Sequence, residues 1–125
     1  MKLTNIKMNL YLSFLKSISN KVTGKLGYAV AKNMRKIASE LIEFENIKNE
    51  YICEHGEKDK DGVFTIKKDS NEYKAFLDYI EEYALIEHEV DIFEIDEEEL
   101  AKSNLTAEEM LNLEFMIKKD EEATE

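Results

Sequence analysis

Between residues 26 and 55, apolar side chains recur at Val30, Met34, Ile37, Leu41, Phe44 and Tyr51. They stand alternately four and three apart, then seven apart across a polar turn at Lys48. That spacing predicts one long helix, Leu26–His55, apolar along one face. A second row at Ala31, Ala38, Ile42 and Ile52 widens the stripe beyond a coiled-coil seam. The chain has no proline to interrupt it, and Gly56 stands where a residue of positive φ would close it. At about 1.5 Å per residue the helix would span roughly 45 Å. That is long for a chain of 125 residues. A plain core helix accounts for the stripe. A helix with one projecting end would also offer a seam to a second copy or to another protein.

The same reading places the other elements. Lys2-Leu3 opens the chain as a short strand or extended arm, and Thr4 or Asn5 caps a first helix, Ile6–Ile18, apolar at Ile6, Leu10, Phe14 and Ile18. The turn from Ser19 to Lys25 joins it to the long helix as a hairpin. Glu57 to Gly62 is a polar turn ending in Asp-Gly, followed by a β-rich run, Val63–Ile66. Asp69 and Ser70 open a third helix over Asn71–Glu87. Glu89–Ile95 alternates polar with apolar as a half-buried strand does, and its expected partner is Val63–Ile66. Thr106-Ala107-Glu108-Glu109 is a capping box for a short last helix. The predicted class is α+β and mostly helical, with one small two-stranded β element. Residues 1–118 are expected to form a single domain and 119–125 a disordered acidic tail. The expected core is Leu10, Phe14, Val30, Met34, Ile37, Leu41, Phe44, Tyr73, Phe76, Leu77, Ile80, Ile92 and Met116.

Charge changes the picture most. Residues 1–39 carry eight Lys or Arg and no acid, whereas residues 69–125 carry twenty acids and four bases. The net charge is −11. Internal neutralisation, solubility, or a surface read by a charged partner would each account for this polarity. The acids that form a candidate partner surface are Glu72, Asp78, Glu81, Glu82, Glu87, Glu89, Asp91, Glu94, Asp96, Glu97, Glu98 and Glu99.

Composition argues against several chemistries. Glu57-x-Asp59-x-Asp61-Gly62 imitates the first half of a calcium loop, but its twelfth position is Lys68, whose ammonium repels the ion. Cys53, His55 and His88 fall short of four paired zinc ligands. On a helix, Cys53 and His55 point about 200° apart, so they do not form a thiol–base pair. Four scattered glycines make no phosphate loop. Direct nucleic-acid binding is disfavoured by the overall charge and by the lack, in the basic N-terminal third, of aromatic interleaving of the kind used for stacking. Neither a catalytic set, a cofactor nor a metal site is expected. No apolar run is long enough to span a membrane, the N-terminus lacks the apolar centre of a signal peptide, and a lone cysteine fits a reducing cytosol.

The layout as a whole resembles a family of small proteins encoded by phages and prophages of Gram-positive bacteria. The resemblance covers about residues 1–118. It rests on Lys2-Leu3, the Gly24 turn, the long helix closing in Glu50-Tyr51-Ile52 through Asp61-Gly62, the acidic Glu89-Val90-Asp91-Ile92, and the close from Leu105 to Ile117. It implies a phage protein acting in the host bacterial cytoplasm, with no catalytic residues to carry over. Two functions fit this background. The first is a non-catalytic accessory protein that binds a phage structural protein in virion or tail assembly. The second is an acidic, DNA-mimicking inhibitor of a host defence nuclease, of the anti-CRISPR or anti-restriction type.

Overall fold

The computed structural model describes residues 1–118; the expected disordered tail, 119–125, lies outside the described residues. The elements are β1 (Lys2–Thr4), α1 (Asn5–Ile18), α2 (Gly24–His55), β2 (Glu57–Lys58), β3 (Phe64–Thr65), α3 (Asn71–Ala84), β4 (Glu87–Glu89), α4 (Glu97–Ala101) and α5 (Ala107–Asn112). A 3-10 turn, Glu114–Met116, follows α5. The class is α+β, mostly helical, and α2 is the long helix that the periodicity predicts. Caps fall where the sequence places them. The Thr4 hydroxyl accepts from the Lys7 N–H, the Ser70 hydroxyl accepts from the Tyr73 N–H, and Thr106 with Glu109 forms a complete capping box.

The core lies on the first two-thirds of α2. Leu26, Ala29, Val30, Ile37, Leu41 and Phe44 are buried there, against Met8, Leu15 and Ile18 of α1 and against Val90, Ile95, Leu105, Leu113 and Met116 from the C-terminal segments. Burying the Val, Leu, Ile, Phe and Met side chains among these contributes about 1.5–3 kcal/mol each. The expected core is right for Val30, Ile37, Leu41, Phe44 and Met116. It is wrong for Leu10 and Leu77, which are 63% and 49% exposed. In α1 the apolar residues run around most of the helix, so the row Ile6–Leu10 competes with Met8–Leu15–Ile18, and the second row is the one that meets α2. Phe14, Met34, Tyr73, Phe76, Ile80 and Ile92 are half-buried. Of the second row on α2, Ala31, Ala38 and Ile42 stay exposed.

Asn33 occupies a stripe position of α2 and is fully buried. Its side-chain amide accepts from the Phe93 N–H at 2.7 Å and donates to the Phe93 carbonyl at 3.0 Å. A side chain thus pairs with both backbone groups of a residue sixty positions away, as a neighbouring strand would. This clasp replaces the expected Glu89–Ile95 strand. Only Glu87–Glu89 is a strand, the chain turns at Val90–Ile92, and Ile95 makes an isolated parallel bridge to Ile117.

The expected pairing of Val63–Ile66 with Glu89–Ile95 does not form. β3 pairs with β2, and β4 pairs with β1 in the register Lys2↔Glu89, Leu3↔His88, Thr4↔Glu87. The β2–β3 hairpin closes locally, at a far smaller entropic cost than a distant pairing. The β1–β4 ribbon ends α3 at Ala84, short of the expected Glu87. Asn5 captures the end of α3, its backbone N–H donating to Ile86 O and its side chain to Tyr83 O. Gly56 does not have the expected positive φ; its φ is −86°. It is glycine because a Cβ there would lie 2.5 Å from Ile52 O and 2.6 Å from Thr65 O.

α5 is tied to the α1–α2 turn by Lys21, whose ammonium lies 2.8 Å from the Glu109 carboxylate. Lys21 and the Thr106 backbone N–H hold Glu109 below the usual carboxylate range. Because the folded pKa is lowered, this contribution is present above the unfolded value of about 4.3 and is lost as pH falls through the folded value. The stability gap between the wild type and Glu109→Gln, read from urea unfolding, should be constant near neutrality and close on acidification below about pH 4. A gap that widens in acid would refute the assignment. For Asn33→Ala, which strands both Phe93 backbone groups, the expected loss is about 1–3 kcal/mol. A loss below about 0.5 kcal/mol, the ordinary range for surface changes, would show that the clasp contributes nothing.

Candidate functional site

From Glu45 to Glu89 no residue is buried, although this stretch includes the last third of α2, the β2–β3 hairpin and all of α3. It is not short of apolar side chains. Tyr51 of α2 stacks on Tyr79 of α3 at 4.7 Å between ring centroids and tilts against Phe76 at 5.5 Å. Tyr83 continues the row edge-on to Tyr79 at 5.4 Å, and Tyr73 meets Phe76 at 6.0 Å. The His55 ring lies 4.2 Å from Tyr51. Aromatic pairs of this geometry add about 0.5–1.5 kcal/mol each beyond the area they bury. The two Tyr51 pairs hold α3 to α2 in one layer whose rings remain partly in water. The Tyr79 phenol is raised above its ordinary value, first by the Tyr83 hydroxyl beside it, then by burial and by the nearby charges of Tyr83, Glu50 and Glu54. The outer part of the molecule is therefore an aromatic layer rimmed by carboxylates, with Leu77 exposed at its edge.

The twelve candidate acids are distributed over separate elements. Asp78, Glu81 and Glu82 share one exposed side of α3, and Glu72 sits in its first turn. Glu87 and Glu89 flank His88 on β4, where Glu89 meets the Met1 ammonium at 3.1 Å. Asp91 is 3.7 Å from Lys36, and Glu94 is exposed in the following loop. Asp96 stands at the N-cap position of α4 without a side-chain capping bond, and the first turn is Glu97, Glu98 and Glu99; Glu99 pairs with Lys102. Among the described residues the other nine make no ion pair. Internal neutralisation is thus sparse. Of the eight N-terminal bases, Lys21 and Lys36 reach a carboxylate, while Lys7 and Lys32 lie over aromatic rings.

The ligand-like residues are used or scattered. The Asp59 carboxylate accepts from the N–H groups of Asp61 and Val63, closing the hairpin turn, and Gly62 takes its φ of +82° there. Cys53 is exposed on the outer side of α2. His88 lies 3.7 Å from Glu40, which is fifteen residues, or about 22 Å, along α2 from His55. Among the described residues no group of three or more His, Cys, Asp or Glu is placed to hold a metal ion. No helix there is long and apolar enough to cross a membrane.

Sequence reading missed the uncovered layer, because the spacing of Tyr73, Phe76 and Ile80 is the same whether or not a second layer covers them. Set against protein-family models, curated proteins and solved structures, the chain matches none of them.

Calcium or zinc at micromolar concentration should leave the melting temperature unchanged. A saturable stabilisation above about 1 kcal/mol would overturn this, since it requires a site that binds the folded state.

Proposed function

We propose that this chain is a non-catalytic accessory protein of a phage or prophage of Gram-positive bacteria, acting in the host cytoplasm through protein–protein contact in virion or tail assembly. One observation carries the reading. The stretch from Glu45 to Glu89 is rich in aromatic side chains and buries none of them. A domain is ordinarily at least two layers thick, and among the described residues no further layer covers the outer side of α3. Tyrosine-rich, half-exposed surfaces of this kind supply the anchors of protein interfaces. The phage origin rests on the layout described above.

A second reading draws on Asp78, Glu81 and Glu82, which lie on one side of α3 without ion pairs among the described residues. They could stand in for DNA phosphates before a defence nuclease.

Affinity capture from phage-infected lysate separates the two. On the assembly reading, a phage structural protein is retained as salt rises from about 0.15 M towards 1 M, because apolar contacts are not screened. Leu77→Asp, at an exposed site, abolishes capture, while Lys at Glu81, Glu82, Glu87, Glu94 and Glu98 leaves it intact. On the mimic reading, capture of a nuclease falls steeply with salt and the charge reversals abolish it. Capture of neither kind of protein refutes both.

A further inference from the structure

A pocket of about 290 Å³ lies between the start of α2 and the segment that Asn33 clasps. Its walls come from three parts of the chain. α2 contributes Lys25 and Tyr28, the clasped segment contributes Phe93 to Asp96, and Lys118 closes the third side. Ile95 is buried at the bottom. The surroundings are pinned. Asn33 holds Phe93 at both backbone groups, and the Lys118 N–H donates to the Ile95 carbonyl at 2.8 Å. A pocket with walls tied in this way is formed before a ligand arrives, so binding costs little ordering.

Two of the lining side chains are rings. Tyr28 and Phe93 meet edge to face, with 5.5 Å between centroids and 73° between planes. Lys32 lies over both, 4.9 Å from the Phe93 centroid and 5.7 Å from that of Tyr28, and does not line the pocket. Tyr28 is still 55% exposed. An exposed ring beside a fixed one leaves an open aromatic corner, which a third ring fills in stacked or edge-to-face contact. The lining also carries both signs of charge. Glu94, Asp96 and Glu99 belong to one segment, and Lys25 and Lys118 to the other two. Among the described residues no ion pair joins these acids to either lysine. Glu99 pairs with Lys102 instead. Carboxylates and ammoniums that line one small space and stay apart complement a molecule carrying both charges.

We propose that this pocket binds a free α-amino acid with an aromatic side chain. The ligand ring lies against Tyr28 and Phe93, its ammonium meets Glu94 and Asp96, and its carboxylate meets Lys25 and Lys118. A cation alone would leave the two lysines unanswered, and an anion alone the acids. Ligand pockets run from about 300 to 1,000 Å³. This one is at the small end of that range, which suits a single amino acid. For so small a ligand the dissociation constant is on the order of 1 mM. The site lies on the enclosed part of α2 and does not rest on the assembly reading, whose surface is α3 and the last third of α2.

Amide chemical shifts of the full chain, followed near neutral pH with three probes that share one ring, test this. L-phenylalanine carries both charges, phenethylamine the ammonium alone and 3-phenylpropanoate the carboxylate alone. Phenylalanine should shift the amides of Tyr28, Phe93 and Ile95 saturably. Each single-charge probe should bind at least about tenfold more weakly, the loss of one charged hydrogen bond. The charge variants should cross. Asp96→Asn should weaken phenylalanine and phenethylamine but not 3-phenylpropanoate. Lys25→Met should weaken phenylalanine and 3-phenylpropanoate but not phenethylamine. An absence of saturable shifts with phenylalanine up to about 20 mM, well above the expected constant, overturns the proposal. So do three probes of equal affinity, shifts centred elsewhere on the molecule, or charge variants that weaken every probe alike.

Discussion

The amide of Asn33 holds the two ends of the chain's architecture together. α2 alone has an apolar stripe but no partner on the side away from α1. The segment after β4 has apolar side chains but no regular strand to satisfy its backbone. By pairing with both backbone groups of Phe93, Asn33 solves both problems at once. It satisfies backbone that would otherwise be buried unpaired, and it sets the position from which Ile95, Leu100 and Leu105 reach the core. An apolar residue at position 33 would fill the same volume but leave Phe93 without partners. The contact with Met116, whose sulfur is 3.6 Å from the Asn33 nitrogen, places the Glu114–Met116 turn against the same clasp.

This arrangement divides α2 into two unlike parts. Its first two-thirds is enclosed by α1 and by segments from residues 90 to 117, and every buried side chain of the helix is there. Its last third meets α3, through rings that stay half in water, and β3 at its end. The division follows from the path of the chain. Residues 90–118 return to the inner end, held there by β1 and Asn33, and so leave the outer end to α3 and the β2–β3 hairpin.

How much of this was legible in the sequence depends on how local the cause is. α2, the hairpin turn at Asp59–Gly62 and the caps at Thr4, Ser70 and Thr106 depend on residues a few positions apart, and their spacing declares them. The β1–β4 ribbon joins Leu3 to His88, and nothing in either segment singles out the other. The face of α1 was ambiguous because Ile6 and Leu10 are as apolar as Met8 and Leu15. Asn33 left a trace that could have been read: a polar amide where the stripe of Val30 and Ile37 calls for an apolar side chain. The acids of the candidate surface were legible as exposed groups. The aromatic layer was not, since burial depends on what lies opposite.

The contrast along α2 has a dynamic consequence. A helix continuous through both parts is enclosed at one end and single-layered at the other, so opening the outer end does not require breaking the inner core. Regions with few enclosed contacts occupy the low end of a protein's range of opening free energies. Backbone amides of one uninterrupted helix, inner and outer, therefore belong to two different cooperative units. Anything that settles on the aromatic layer would tighten the outer unit and leave the inner one, around Asn33, as it was.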